Sequence, residues 1–194
     1  MKNTIESTMS DLRTDHRNMV MLLDLLDAES LRLAENNEPD YELLDDVLAY
    51  MSEYSDAVHH PKEDLIYQHI HARHDNIENS LKHIEADHKA LGRDGVEIRN
   101  IINATDAQGL PDRVALAKAL RRYSEDLRKH MYWEEKDLFA LADSMQDNEA
   151  WVELLKCHNV ARDPLFGNTT ERRFRRLFNH LQQRIVWDSQ QYFV

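Results

Sequence analysis

The sequence HHPKED, residues 59–64, and the sequence HMYWEE, residues 130–135, each place a carboxylate four residues after a histidine. In a helix this spacing puts both side chains on one face, one turn apart, so that both can reach one metal centre. The spacing alone is a weak signal, because other histidines in this acidic chain also have it. The pairs His59/Glu63 and His130/Glu134 therefore need support from the rest of the sequence.

The chain around these pairs predicts long helices. Gly and Pro number only four each, which leaves too few turn residues for an all-β fold. Apolar residues from Met9 to Leu26 recur at three- and four-residue spacing and predict a helix over about residues 4–35. Similar patterns predict helices over about residues 41–73, 77–103 and 111–144, with a loop over about 104–110 between the last two. Short connections favour antiparallel packing of these four helices.

The depth of each residue along these helices selects the partners of the two pairs. His16 lies about 22 residues before the first predicted turn, and the His59/Glu63 pair lies about as far after it. From the second turn, near residues 75–76, that pair lies about 14 residues back and His88 about 12 forward. From the loop before the last helix, His88 lies about 15 residues back and the His130/Glu134 pair about 21 forward, which is a looser match. One layer of the helices therefore contains His16, His59, Glu63, His88, His130 and Glu134.

Four imidazoles and two carboxylates suit a pair of non-haem iron ions, with the carboxylates bridging them. His60, Asp64 and Glu135 are sequence neighbours of this set, each rotated by about 100° on a regular helix. We expect them to support the ligands or to face solvent, with Asp64 as an alternative bridging ligand. Tyr67 is expected to pack in the core or to line the site.

Pro61 lies inside the second predicted helix, where a proline costs about 3 kcal/mol and kinks the backbone. Its position predicts either a break or a locally distorted site. Residues 146–194 are predicted to form an extension, with a short helix near residues 151–155 and a basic amphipathic helix over about 170–187. We expect this extension to pack on the helices or on a partner chain, for example in a homodimer.

The composition excludes several classes of partner. The net charge of −12 repels phosphate backbones and anionic lipids, so we expect neither nucleic acid nor a membrane surface as a partner. No apolar stretch approaches the roughly 20 residues of a membrane span. A single cysteine, Cys157, excludes an intrachain disulfide framework and a cysteine-rich metal site, and we expect an inert thiol there. The chain is therefore predicted to be soluble and cytoplasmic.

The ordered set of motifs resembles the hemerythrin HHE cation-binding family. The matching features are His16 in DHR (15–17), HHPKED, His88 in EADH (85–88), and HMYWEE, which together cover roughly residues 10–145. The resemblance implies an all-α, antiparallel up-down four-helix bundle over residues 1–145 around a carboxylate-bridged di-iron site. The ligands that it implies are His16, His59, Glu63, His88, His130 and Glu134.

Members of this family bind dioxygen, sense oxygen or iron, or repair damaged iron centres. The oxygen-carrying branch has a further histidine four residues before the one in the third helix, and here that position is Ile84. The set thus resembles the four-histidine, two-carboxylate variant of repair-type and iron-sensing members, although the N-terminal cysteine-bearing segment of repair-type members does not occur in this sequence.

We therefore expect a non-haem di-iron protein that binds or senses dioxygen or another small diatomic or peroxide ligand, rather than a dedicated enzyme. The alternative is a redox or iron-centre repair protein that acts under oxidative or nitrosative stress. A ferritin-like carboxylate site fits less well, because its Glu-x-x-His pattern occurs only at residues 85–88. A metal-free structural bundle is the remaining interpretation.

Overall fold

The computed structural model describes residues 5–73, 77–108, 113–145 and 162–191. All the regular secondary structure in these ranges is helical, which confirms the predicted all-α class. The predicted turn near residues 75–76, the end of the predicted loop at 109–110, the predicted short helix near 151–155 and Cys157 lie outside the described ranges. Within the described part, no helix has both the length and the apolarity needed to cross a membrane.

Four long helical rods make up most of the described structure. The first is α1 (Ile5–Ala34), and the third is α4 (Glu78–Gln108). The second rod comprises α2 (Tyr41–Tyr50), a π-helical segment (Met51–His59) and α3 (His60–His71). The fourth comprises α5 (Arg113–Trp133), a second π-helical segment (Glu134–Phe139) and α6 (Ala140–Ser144). A 3-10 turn (Arg172–Phe174) then leads into α7 (Arg175–Gln191).

The rods contact one another in a closed order. α1 packs against α5, α5 against α4, α4 against α2 with its π-helical continuation, and α2 against α1. Each rod therefore turns one face towards a shared interior, where side chains from all four can meet.

Pro61 lies in the first turn of α3, directly after the first π-helical segment. The backbone N–H of His60 bonds to the carbonyl of Ser55, five residues back, instead of the usual four. Proline is tolerated in a first turn because its missing N–H has no partner to lose there. Of the two alternatives predicted for Pro61, the rod therefore shows a local distortion and not a break.

The third rod is longer than predicted. The sequence predicts a loop from Ala104, whereas α4 continues to Gln108. Ala and Gln are good helix formers, and the strong terminating residue in this region is Gly109, one position after the helix ends.

The apolar core is divided into two clusters by a polar layer. The larger cluster includes Met19, Leu23 and Leu127, and the smaller one includes Leu12 and Phe139. Each rod passes from one cluster to the other through a stretch that carries buried histidine or glutamate side chains. The polar layer is thus enclosed above and below by apolar side chains.

The C-terminal part packs on the second rod. Leu165, Phe174 and Leu177 are buried and belong to the larger cluster. Arg176 lies close to three acidic groups near the start of that rod, with its Nη1 2.7 Å from Glu42 Oε2. Arg176 thus offsets part of the acidic charge on the second rod, although exposed ion pairs of this kind contribute only about 0–1 kcal/mol each.

Candidate metal centre

Six buried ionisable side chains form the polar layer, and every rod contributes at least one of them. Each is at least nine-tenths buried, and the two carboxylates are completely buried. The six residues are His16, His59, Glu63, His88, His130 and Glu134. Buried carboxylates are strongly unfavourable unless a positive charge compensates them. The layer therefore requires cations, either as protons on the imidazoles or as metal ions.

Glu63 faces histidines from three rods. Its Oε1 lies 3.1 Å from His59 Nε2 and 3.3 Å from His16 Nε2. Its other oxygen, Oε2, points to the opposite side and lies 3.8 Å from His88 Nε2. One carboxylate therefore reaches two separate groups of imidazoles.

Glu134 repeats this arrangement from the fourth rod. Its Oε1 lies 3.4 Å from His88 Nε2, and its Oε2 lies 3.3 Å from His130 Nε2 and 3.5 Å from His16 Nε2. His16 and His59 thus share Glu63 Oε1, and His16 and His130 share Glu134 Oε2. His88 contacts one oxygen of each carboxylate. Two carboxylates among four imidazoles can hold two cations and bridge them.

Most of the atoms that face this centre have no hydrogen-bond partner in the structure. They are the Nε2 atoms of His16, His59, His88 and His130, both carboxylate oxygens of Glu63, and Oε2 of Glu134. A buried polar atom without a partner costs about 1–3 kcal/mol, and folded proteins contain few of them. The clustering of these unpartnered atoms between the rods is what a set of metal-binding donor atoms would show.

The other ring nitrogen, Nδ1, of each of these histidines faces an acidic side chain. The four Nδ1–oxygen distances are 2.9 Å for His16–Glu135, 3.0 Å for His59–Asp15, 3.2 Å for His88–Asp64 and 3.6 Å for His130–Asp87. A carboxylate behind Nδ1 favours the tautomer with its proton there, which leaves the Nε2 lone pair free for a metal. His16 and His59 hydrogen-bond to their outer carboxylates, whereas Nδ1 of His88 and of His130 faces a carboxylate without forming a hydrogen bond. The outer carboxylates therefore orient His16 and His59 most firmly, with Nε2 towards the centre.

These four outer carboxylates form a ring around the rods. Asp15 precedes His16 in the sequence but contacts a histidine of the second rod, and Asp64 follows Glu63 but contacts one of the third. Asp87 reaches the fourth rod and Glu135 the first in the same way. A sequence neighbour is rotated by about 100° on a helix, so it points sideways to the next rod.

In the metal-free protein, protons supply the positive charge of the layer. Burial lowers the pKa of His16, but the nearby carboxylates of Glu134, Glu135 and Glu63 outweigh it and raise that pKa to about 11. Burial likewise opposes protonation of His88, and its acidic neighbours, Asp64 first, raise the pKa to about 10. Burial disfavours the charged form of Glu63, but His59 and His16 hold its pKa well below the usual value. Metal ions must therefore displace protons from the imidazoles.

Two buried tyrosines donate hydrogen bonds to carboxylates of the site, one to a glutamate of the layer and one to an outer carboxylate. The Tyr67 hydroxyl donates to Glu134 Oε1 at 3.1 Å, and the Tyr54 hydroxyl donates to Asp15 Oδ2 at 3.1 Å. Burial, together with the charge of Glu134, raises the pKa of Tyr67 well above its ordinary value. These phenols therefore remain protonated and hold the carboxylates in position.

His60 is a further buried imidazole beside the layer, and its inward position is not expected from the sequence. Its ring stacks on that of His88 with centroids 4.1 Å apart, and it meets the His130 ring edge-to-face with centroids 5.7 Å apart. Exposure to solvent, one of the two alternatives for His60, is excluded because the residue is only 5% exposed. A regular helix would turn it away from the centre, but the π-helical segment before it changes that orientation. Pro61 was the available signal of this distortion.

Asp64 and Glu135 are placed differently from His60. Both are partly exposed, and both lie behind a histidine of the layer. The alternative of Asp64 as a bridging ligand receives no support, since its Oδ1 faces His88 Nδ1 on the outer side of the ring. Ile84 is buried in the smaller apolar cluster, one turn before His88.

The family model for the hemerythrin HHE cation binding domain matches residues 7–142. Neither a curated protein nor a solved structure matches the chain. The matched range begins before His16 and ends after Glu134, so it contains the whole buried layer and all four outer carboxylates. Since it also spans well over half of the sequence, the chain belongs to the hemerythrin HHE cation-binding domain family.

Proposed function

We propose that the chain binds a carboxylate-bridged pair of non-haem iron ions and uses it to bind or sense dioxygen or a related small ligand. The proposed metal ligands are His16, His59, Glu63, His88, His130 and Glu134. The observation that carries the proposal is the set of buried, unpartnered Nε2 and carboxylate atoms at the centre of the rods. In the same proposal the four rods form an antiparallel up-down bundle over residues 1–145, on which residues 146–194 form an extension.

Two ion positions are supported by the grouping of the donor atoms. One group of close donors consists of His16, His59 and Glu63, and another consists of Glu63, His88 and Glu134. Glu63 belongs to both groups, as a bridging carboxylate would. Mixed imidazole and carboxylate donors suit iron better than they suit magnesium or calcium, which prefer oxygen ligands alone.

The bound iron pair would supply electrons and open coordination positions to the small ligand. The protein's own contribution is a closed, preorganised interior. All six donors are at least nine-tenths buried, and apolar clusters enclose them on both sides. This enclosure favours a diatomic or peroxide ligand over a larger substrate.

Redox turnover or iron-centre repair is the alternative function. It is compatible with the buried phenol beside the layer, since the Tyr67 hydroxyl donates a hydrogen bond to Glu134 Oε1 at 3.1 Å. Consumption of peroxide or nitric oxide by the iron-loaded protein, lost in the variants His59→Ala and Glu134→Ala, would favour this alternative over simple binding.

An anaerobic titration with Fe²⁺, followed by metal analysis and exposure to air, tests the proposal. We expect about two iron ions per chain, in keeping with a bridged pair, and a new absorption band on exposure to air. His59→Ala and Glu134→Ala should lose the pair, whereas the exposed control His180→Ala should retain it. A wild-type protein that stays colourless and binds one ion or none would overturn the proposal.

A further inference from the structure

We propose that His60 is a fifth imidazole ligand, for the ion on the side of His88 and His130. This inference rests on the proposed metal pair and makes its two positions unequal. The ion near His16 and His59 would have two imidazoles, and the other ion would have three.

The position of the ring is the first support. His60, His88 and His130 each offer a donor atom, and these atoms lie within 4.8 Å of one another. All three residues are at least nine-tenths buried. The His60 and His88 rings are stacked with their planes 11° apart, and each meets the His130 ring edge-on. Because a ring nitrogen binds a metal in the plane of the ring, the proposal requires the His60 ring to rotate when the ion binds. A buried cluster of three imidazoles is a chemically suitable binding site for a transition-metal ion.

The second support is the carboxylate behind the ring. His60 Nδ1 lies 3.3 Å from Asp56 Oδ1, one helical turn earlier on the same rod. This contact matches the one that each of the four other buried histidines makes with its outer carboxylate. It favours a proton on Nδ1 and leaves Nε2 as the donor atom, the usual arrangement for histidines that bind metals.

The present partner of Nε2 is one that a metal ion can replace. His60 Nε2 lies 3.2 Å from the hydroxyl of Ser55, a neutral group. That hydroxyl also lies 3.7 Å from Met19 Sδ, to which it can donate. Rotation of the hydroxyl therefore frees the Nε2 lone pair without leaving Ser55 unpartnered.

The backbone around His60 explains why its side chain faces inwards and why Asp56 fits behind it. The N–H of His60 bonds to the Ser55 carbonyl, which makes the turn wider than in an α-helix and lets His59 and His60 both face inwards. On the neighbouring rod, a Cβ at Gly92 would lie only 3.3 Å from Asp56 Oδ2. The absence of a side chain at Gly92 thus leaves room for the carboxylate that supports His60.

Anaerobic titration of the full-length chain with Co²⁺, followed by visible absorption and metal analysis, tests the inference. We expect His60→Gln to keep the first ion and to bind the second at least about 100-fold more weakly, the upper end of what loss of a supporting contact costs. The matched variant Ser55→Ala should keep both ions, because it removes only the group that now occupies Nε2.

Zinc binding followed by ¹⁵N NMR of labelled histidines tests the wild-type chain directly and does not depend on the folding of a variant. We expect the Nε2 resonance of His60 to shift on zinc binding together with those of the other four buried histidines. The inference is overturned if His60 does not shift, if His60→Gln binds both ions as wild type does, or if Ser55→Ala loses the second ion as well. A wild-type chain that binds no metal pair would instead refute the proposed function.

Discussion

Tyr67 donates its hydroxyl hydrogen to Glu134 Oε1 across 3.1 Å, between the second and fourth rods. Both residues are at most 1% exposed. The contact fixes the orientation of a carboxylate whose other oxygen, Oε2, has no hydrogen-bond partner and faces the imidazoles. The phenol thus helps to determine where the proposed bridging oxygen lies.

We therefore predict that Tyr67→Phe weakens metal binding about 10- to 100-fold, as the loss of a contact behind a metal ligand usually does. It should also lower the free energy of unfolding of the metal-free protein by about 1–3 kcal/mol, since it leaves a buried carboxylate oxygen unpaired. Metal titration and urea unfolding measure the two effects. Tyr132→Phe is the matched control, because Tyr132 is 61% exposed. Equal behaviour of the two variants would contradict the assigned role of Tyr67.

Metal loading should stabilise the fold. At a free metal concentration 100 times the dissociation constant, binding to the folded state alone adds about 2.7 kcal/mol. For a chain of this size that corresponds to a rise in Tm of roughly 5–11 °C. Calorimetry with and without Fe²⁺ under anaerobic conditions measures it. His59→Ala should show little or no rise, and an unchanged Tm in the wild type would instead support a metal-free structural bundle.

The pH dependence of the metal-free protein follows from the raised pKa values of two histidines. His16 and His88 have pKa values of about 11 and 10 in the folded protein, against 6.5 for the free side chain. Their protonation therefore stabilises the fold fully below about pH 6.5, and this contribution is progressively lost as the pH rises towards 10 and 11. Unfolding experiments from pH 6.5 to 10 should show falling stability, with a shallower fall in His16→Gln.

Metal affinity should change with pH in the opposite direction. The ions bind neutral imidazoles, so they must displace the protons held by His16 and His88. We predict that affinity rises from pH 6 to 9 and that protons are released on binding, which a weakly buffered titration with a pH indicator can count. Binding without proton release would contradict the protonated state assigned to the metal-free layer.

The sequence predicts the depth of the layer well, because depth depends only on counting residues along helices. His16 and His88, which have no carboxylate partner four residues later, were selected in this way, and both reach the two glutamates in the structure. The inward position of His60 was not predictable from regular helical geometry. It depends on a π-helical turn, of which Pro61 is the only sign in the sequence.

The outer carboxylates show a second limit of sequence reasoning. Asp15 and Asp87 each precede a histidine of the layer, so their sequence positions link them to the wrong partner. Their contacts are with His59 and His130 on neighbouring rods. Such contacts depend on the order in which the rods surround the centre, which the pattern of a single helix does not contain.

The C-terminal part is expected to contribute to stability and not to the metal centre. Asp163 accepts hydrogen bonds from the Tyr50 hydroxyl and from the backbone N–H groups of Leu165 and Phe166. Asp163→Ala removes all three and leaves the buried Tyr50 hydroxyl without this acceptor. We predict a loss of about 1–3 kcal/mol in the free energy of unfolding, measured in urea. Metal affinity should change little, because Asp163 does not contact the layer.

Tyr54→Phe should instead affect metal affinity. Tyr54 lies in the first π-helical segment, one turn after Tyr50. Tyr54 holds Asp15, and Asp15 in turn holds His59 Nδ1 at 3.0 Å. Loss of the phenol should therefore weaken metal binding about 10- to 100-fold. If Asp163→Ala weakened metal binding as strongly as Tyr54→Phe, the C-terminal part would have to act on the centre, and the assignment of Asp163 to stability alone would be wrong.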